Sequence, residues 1–159
     1  MTYDLRNRKT VEQDMSGTDT FTTRFTYDTT GNLITVSDKE SKNTSYQYDS
    51  LNRRIRETDP AGQVIEYTYD DRGNLLSLKD PKSGLTQFAY DRNNRPTGET
   101  RPMGEQTIYT YDSAGNLKHK IDTENRKIEN TYDSAGRLIA SDFKNAGGSI
   151  TIEVESKSV

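Results

Sequence analysis

The dipeptide Tyr-Asp recurs at a fixed interval along this chain. It stands at Tyr27-Asp28, Tyr48-Asp49, Tyr69-Asp70, Tyr90-Asp91, Tyr111-Asp112 and Tyr132-Asp133, each pair 21 residues after the last. Tyr3-Asp4 fits an earlier copy with three extra residues, since Tyr27 follows Tyr3 by 24. A repeat of this length means an array, in which each unit buries surface only against its neighbours.

Composition alone leaves fold and disorder open. Leu, Ile, Val and Phe supply 27 of 159 residues, about 17%, below the ~20% that marks disordered chains. The other half of the disorder signature is missing, because 22 basic and 25 acidic residues leave a net charge of only −3. The repeat decides for a fold whose small core is renewed locally. The sequence has no Cys, which excludes a disulfide framework, a thiolate metal site and a Cys nucleophile. No apolar run approaches the ~18 residues of a membrane-spanning helix. Met1-Thr2-Tyr3-Asp4 lacks a signal peptide's apolar stretch, so if the protein is exported its signal lies outside this sequence. Balanced charge gives no field for nucleic acid.

Aligned on Tyr, the fourth residue on is Gly31, Asn52, Gly73, Asn94, Gly115 or Gly136, followed by Asn32, Arg53, Asn74, Arg95, Asn116 or Arg137. Asp opens a type I turn, and Gly or Asn takes the left-handed position that closes a short hairpin. A second turn lies half a repeat later: Asp59-Pro60-Ala61-Gly62, Asp80-Pro81-Lys82-Ser83-Gly84 and Arg101-Pro102-Met103-Gly104. There Pro presets the first central φ and Gly is expected to close the turn. Asp122-Thr123-Glu124-Asn125 is a looser copy, and Lys39 to Asn43 the most degenerate.

Between the turns run short alternating segments such as Thr44/Tyr46/Tyr48, Ile65/Tyr67/Tyr69 and Thr86/Phe88/Tyr90. Period two with aromatic and β-branched residues is the mark of a strand with one favoured face. No helical stripe fits between turns so closely spaced. The fold class is therefore all-β: a repetitive antiparallel β-meander of 21-residue hairpin repeats, about twelve to fourteen strands, forming a twisted or spiralling sheet strip. One array is expected over 1–159, with an irregular N-terminal unit at 1–24, regular repeats at 25–142 and a terminal strand or cap at 143–159. Met1 to Thr23 reads as irregular after Tyr3-Asp4. The open edges of such a strip favour edge-to-edge self-association.

Chemistry is sparse. His119 is the sole His; without a partner it builds neither a triad nor a metal site, and it reads as an exposed strand position between Lys118 and Lys120. Asp28, Asp49, Asp70, Asp91, Asp112 and Asp133 form a row, for which a turn role suffices against calcium, since calcium needs converging oxygens. No catalytic residue, metal ligand or cofactor is assigned. The structural motif comprises those aspartates, their tyrosines Tyr27, Tyr48, Tyr69, Tyr90, Tyr111 and Tyr132, and Gly31, Gly73, Gly115 and Gly136. Rings on an open face stack on sugars, which makes Tyr46, Tyr67, Phe88 and Tyr109 candidate glycan-binding residues.

The unit Tyr-Asp-x-x-Gly-Asn/Arg-Leu, with a following Asp-Pro-x-Gly, resembles the YD repeat of the Rhs family, which includes bacterial Rhs toxins, the C components of Tc toxins and teneurins. Tyr69-Asp70-Asp71-Arg72-Gly73-Asn74-Leu75 and Tyr132-Asp133-Ser134-Ala135-Gly136-Arg137-Leu138 carry it most fully, and it covers about Phe25 to Ile139. The resemblance implies a strip of antiparallel sheet spiralling into a hollow shell, secreted or at the cell surface, which in toxins encloses a C-terminal toxic domain. The implied partners are the rest of a longer Rhs-like polypeptide and its enclosed toxin. The alternative it implies is a carbohydrate-binding or adhesion module holding cell-surface glycans. Asp80-Pro81-Lys82-Ser83-Gly84-Leu85 is similar to the family's self-cleaving segment, but it carries an extra residue and sits at an ordinary mid-repeat turn.

Overall fold

The computed structural model describes residues 1–16, 19–145 and 148–153, with side chains over 1–15 and 20–144. Among them are fifteen strands and no helix: β1 (Thr2–Tyr3), β2 (Lys9–Ser16), β3 (Asp19–Tyr27), β4 (Leu33–Ser37), β5 (Asn43–Tyr48), β6 (Arg54–Thr58), β7 (Val64–Tyr69), β8 (Leu75–Lys79), β9 (Leu85–Tyr90), β10 (Pro96–Thr100), β11 (Gln106–Tyr111), β12 (Leu117–Ile121), β13 (Lys127–Tyr132), β14 (Leu138–Asn145) and β15 (Gly148–Glu153). Their hydrogen-bonded order is the order of the chain, so the sheet is an open antiparallel meander without a crossover. Contacts divide the chain into two units, Met1–Thr68 with Leu78–Ser83, and Tyr69–Ser77 with Gly84–Val159.

The strand count exceeds the sequence expectation because of the N-terminus. Residues read there as irregular form β1, β2 and most of β3, paired from Val11↔Arg24 to Ser16↔Asp19. Thr-rich polar segments serve as strands when the ladder itself satisfies the backbone, and the repeat's Tyr is not needed for that.

Every Tyr-Asp and mid-repeat turn among the described residues has one residue with positive φ. In the Tyr-Asp turns it is Asn7, Gly31, Asn52, Gly73, Asn94, Gly115 and Gly136; in the mid-repeat turns it is Ser41, Gly62, Ser83, Gly104 and Asn125. The degenerate Lys39–Asn43 stretch thus makes the same turn as the rest, opened by Asp38 and closed by Ser41 at φ 60°. The third turn differs from expectation: Ser83, at φ 67°, takes the left-handed place rather than Gly84. Asp80 sets the count, since its carbonyl accepts the N–H of Ser83 at 3.0 Å and so fixes the third residue after it.

In unit one, Tyr27 pairs with Leu33 while Thr26 pairs with Thr35, so Ile34 is an extra residue in β4. The same slip makes Thr10 and Ile55 extra in β2 and β6. In unit two it recurs at Thr97, Lys118 and Ile139. Each is a β-bulge directly after a Tyr-Asp turn, which adds local twist and takes one carbonyl out of the ladder.

The two faces of each unit differ. On β5 and β9 alternate residues are half-buried, and these are Thr44, Tyr46, Tyr48 and Thr86, Phe88, Tyr90. No described hydrophobic side chain is fully buried, and Thr107 alone among the described residues is, at 6% exposure. Stabilisation therefore comes from hydrogen-bonded ladders and from half-covered rings lying against their strand neighbours.

Candidate functional site

The Tyr-Asp turns line one edge of each unit, and their side chains are bound into the turn. Asp28 Oδ1 accepts the N–H of Thr30, Gly31 and Asn32 at 3.0, 2.7 and 2.8 Å, and its Oδ2 accepts Asn32 Nδ2 at 2.9 Å. Asp49 and Asp91 accept the corresponding N–H groups, and their Oδ2 takes Arg53 Nε and Arg95 Nε at 2.7 Å. Asp4, Asp70, Asp112 and Asp133 repeat the arrangement with Arg8, Asn74, Asn116 and Arg137. A short acceptor that reaches its own turn's orphan N–H groups is what Asp supplies best.

These bonds favour the ionised carboxylates. Asp49, Asp91 and Asp133 are held below the ordinary carboxylate range first by the backbone N–H of Arg53, Arg95 and Arg137. Asp70 and Asp112 are held down first by the amides of Asn74 and Asn116. At Asp28 desolvation opposes ionisation, but the Thr30 hydroxyl and the Asn32 amide and N–H outweigh it and leave its pKa the most strongly lowered.

The motif tyrosines reach backwards. Tyr48 OH donates to Leu33 O at 2.9 Å, Tyr111 OH to Pro96 O at 2.8 Å and Tyr132 OH to Leu117 O at 2.9 Å, each fifteen residues earlier. Tyr27 OH donates likewise to Lys9 O. Every acceptor is the residue just before a bulge, so the phenol satisfies the carbonyl that the bulge withdraws from the ladder. Burial pushes the Tyr48, Tyr90 and Tyr111 phenols up. Tyr69 and Tyr90 end β7 and β9 in the equivalent places.

Successive turns also touch. The Arg8 guanidinium lies 4.6 Å from the Tyr27 ring centre and that of Arg95 4.3 Å from Tyr111. Asn32 Nδ2 donates to Asn52 Oδ1 at 2.8 Å, and Asn74 Nδ2 to Asn94 Oδ1 at 3.0 Å. Arg6 and Arg72 each donate to a carbonyl of the following turn, Thr29 and Arg92, at 2.7 Å.

The candidate glycan-binding rings lie two residues before the motif tyrosines, on the same face. Arg54 sits 5.5 Å from both Tyr46 and Tyr67, and Lys120 5.9 Å from Tyr109. Phe88 pairs across with Glu99. One side of three of the four rings is thus already occupied by a cation of a neighbouring strand.

His119 departs from the exposed position expected of it. Its side chain is half-buried, with Nε2 3.0 Å from Glu129 Oε1 and Nδ1 3.0 Å from Thr110 Oγ1. Glu129 also binds Lys127 and Lys144, both at 3.2 Å. The register explains it: Thr110↔His119 and His119↔Glu129 are direct cross-strand partners, which one strand read alone cannot disclose. Among the described residues no group of three His, Asp or Glu side chains is placed to hold a metal ion.

Antiparallel strands in chain order, joined by Asp-nucleated turns and tied turn to turn by tyrosine hydroxyls, define a β-strip repeat protein. The chain belongs to the teneurin YD-shell family, whose model matches residues 2–153. No curated protein matches it in sequence. Its fold is that of solved Tc-toxin chains. In TcdB2-TccC3 without the hypervariable C-terminal region the match has a TM-score of 0.71 and 20% identity, over 89% of this chain and 9% of that one. In TcdB2-TccC3-Cdc42 the values are 0.65 and 22%, over 79% and 7%. In the Photorhabdus luminescens Tc holotoxin pore they are 0.63 and 23%, again over 79% and 7%. The chain therefore spans less than a tenth of the length of these neighbours.

Proposed function

We propose that these residues are a structural segment of an Rhs-like β-shell in an exported toxin or surface protein, which encloses or scaffolds a C-terminal toxic domain and performs no catalysis of its own. The observation that carries this reading is how the motif's polar groups are used. The aspartates hold their own turns, four tyrosine hydroxyls bind bulge carbonyls, and arginines and asparagines link one turn to the next. That is the economy of a wall, in which repeated side chains serve the repeat. The family match and the Tc-toxin fold support the same reading. So does the lack of a fully buried hydrophobic side chain among the described residues, since a segment of a larger wall shares its cover with neighbouring segments.

The glycan-binding reading is the second. The half-buried ring face favours it, and the cations over Tyr46, Tyr67 and Tyr109 weigh against it by occupying stacking surface. The test for the shell reading is the size of the native polypeptide, read by immunoblot of cell and secreted fractions of the source organism. A species many times larger than 18.1 kDa is expected. A species of that mass alone overturns the enclosing role.

A further inference from the structure

Some Tyr-Asp turns latch the next one with an arginine, and others have no side chain to do so. Arg6 and Arg72, each two residues after the motif Asp, line the groove between their own turn and the following one. Each donates Nη1 to the carbonyl of the residue after the next motif Asp, Thr29 and Arg92, at 2.7 Å. They are the two arginines at that position of the repeat, and both make the bond. The other turns carry Thr30, Leu51, Asn93, Ala114 and Ala135 there, all shorter side chains.

The groove between the turns Asp28–Asn32 and Asp49–Arg53 is the same place without that arginine. Its volume is about 520 Å³. Thr30 turns back on its own turn, its hydroxyl donating to Asp28 Oδ1 at 2.8 Å. The Ser50 carbonyl holds the position in its turn that those of Thr29 and Arg92 hold in theirs. No donor of the chain meets it among the described residues. Asp28 and Asp49 are the charged side chains on the lining, and both are ionised at neutral pH. Asp49 is paired with Arg53 at 2.7 Å, whereas Asp28 is held by the neutral Asn32 amide and makes no ion pair among the described residues. Ile34 and Ile55 add apolar surface to the same groove.

We propose that this groove is a docking site for an arginine side chain of another polypeptide segment, whose guanidinium donates to the Ser50 carbonyl as Arg6 and Arg72 donate within the chain. The chemistry of the groove selects that group. A guanidinium carries a fork of N–H donors for carbonyl and hydroxyl oxygens, and its charge persists at any working pH opposite Asp28. Its weakly hydrated faces suit Ile34 and Ile55, where an ammonium holds its water tightly. The groove between Asp112–Asn116 and Asp133–Arg137 also lacks the arginine, but Lys118 lines it and opposes a second cation. The site is therefore assigned to the first groove alone, and it does not depend on the shell reading.

The probe is arginine blocked at both ends, N-acetyl-arginine N-methylamide, titrated into the full chain. NMR follows the Ser50 carbonyl carbon and the Leu51 amide nitrogen, which share one peptide group and so report on that oxygen. A saturable shift with a dissociation constant on the order of 10 mM is expected. Blocked lysine should bind at least ~3-fold more weakly. Blocked citrulline keeps the shape, loses the charge and should not saturate.

Thr30→Arg places the chain's own guanidinium in the groove, as at Arg6 and Arg72, and should abolish binding of the probe. Thr30→Ala leaves the groove open and should bind as the parent does. An amide spectrum unchanged outside the two turns shows that each variant folds, and the parent titrations decide alone where Thr30→Arg does not. No saturable shift up to ~100 mM probe overturns the proposal. So does equal affinity for blocked lysine or citrulline, or parental affinity in a folded Thr30→Arg chain. None of these outcomes depends on the size of the native polypeptide, so this inference and the shell reading fail separately.

Discussion

Tyr48 donates its phenolic hydrogen to the main-chain carbonyl of Leu33, 2.9 Å away and fifteen residues earlier. The β4–β5 ladder stops at Thr35↔Ser45, and the bulge at Ile34 separates Leu33 from the regular pairing with β3. The Leu33 carbonyl would otherwise lie half-buried beside an aromatic ring. The motif tyrosine thus repairs the defect that gives each repeat its twist, and the repair couples one repeat to the one before.

Tyr48→Phe keeps the ring and removes only this bond. It should cost about 1 kcal/mol of unfolding free energy, the usual worth of such a bond. Tyr48→Ala also strips a half-buried ring and should cost about 3 kcal/mol. Tyr46→Phe, on the same strand and face, removes a hydroxyl with no partner among the described residues and should leave stability within ~0.5 kcal/mol. Urea unfolding of the three variants checks this. Equal effects of Tyr48→Phe and Tyr46→Phe would refute the role given to the hydroxyl.

Left-handed turn positions give a second contrast. Gly73 has φ +90° and nothing within 4 Å of a built Cβ, so Gly73→Val meets conformational strain without a clash. It should cost about 2 kcal/mol. Ser83 is a side-chain-bearing residue at φ 67°. Ser83→Gly relieves that strain at some cost in unfolded-chain entropy and should gain about 0.5 kcal/mol. Thermal unfolding decides; a Gly73→Val protein of unchanged Tm would contradict the turn geometry.

Acid should unfold the strip by titrating the turns. Asp4, Asp28, Asp49, Asp70, Asp91, Asp112, Asp122 and Asp133 all have pKa values lowered from the ordinary 3.8. A lowered folded pKa means that the unfolded chain binds protons first. The stabilisation is therefore complete above 3.8 and is lost as pH falls through the depressed values. Tm should be flat above about pH 6 and drop steeply below about pH 4. Asp28→Asn should shallow that drop. A Tm that stays level down to about pH 2 would show that the carboxylates do not hold the turns.

Much of this architecture is legible in sequence because the local signals agree. A Tyr-Asp every 21 residues, followed by Gly or Asn, places turns such as Asp28–Gly31 and Asp112–Gly115 where the structure has them. What was less legible depends on partners far along the chain. The β2–β3 hairpin carries few apolar residues and makes its strands by pairing alone. Ser83 takes the turn position beside a Gly that looked the better candidate, because the count from Asp80 decides. The destination of the tyrosine hydroxyls needed the bulges, and those are a matter of register. The stacking of Arg8 on Tyr27 and of Arg95 on Tyr111 likewise joins residues of successive repeats and needed the structure.

His119 shows the same dependence and yields the last prediction. It bridges Thr110 and Glu129 across three strands, while Glu129 also binds Lys127 and Lys144 and has Asp142 as its direct partner on β14. The hydrogen bond from His119, then those from Lys144 and Lys127, bring the Glu129 carboxyl down from an ordinary 4.5 to about 2. The unfolded chain again protonates first, so Glu129 supports the fold fully above 4.5, and that support is lost as pH falls through about 2. Glu129→Gln removes the charge and leaves a single neutral amide oxygen where the carboxylate accepted from three partners. The variant should be less stable than the parent near neutral pH, and the gap should close as pH approaches about 2. High salt should narrow it as well, because Lys144 is half-exposed and screened by solvent. Side-chain carboxyl NMR gives the direct reading: a Glu129 midpoint near its ordinary 4.5 in the folded protein would show that the cross-strand cluster does not form in solution.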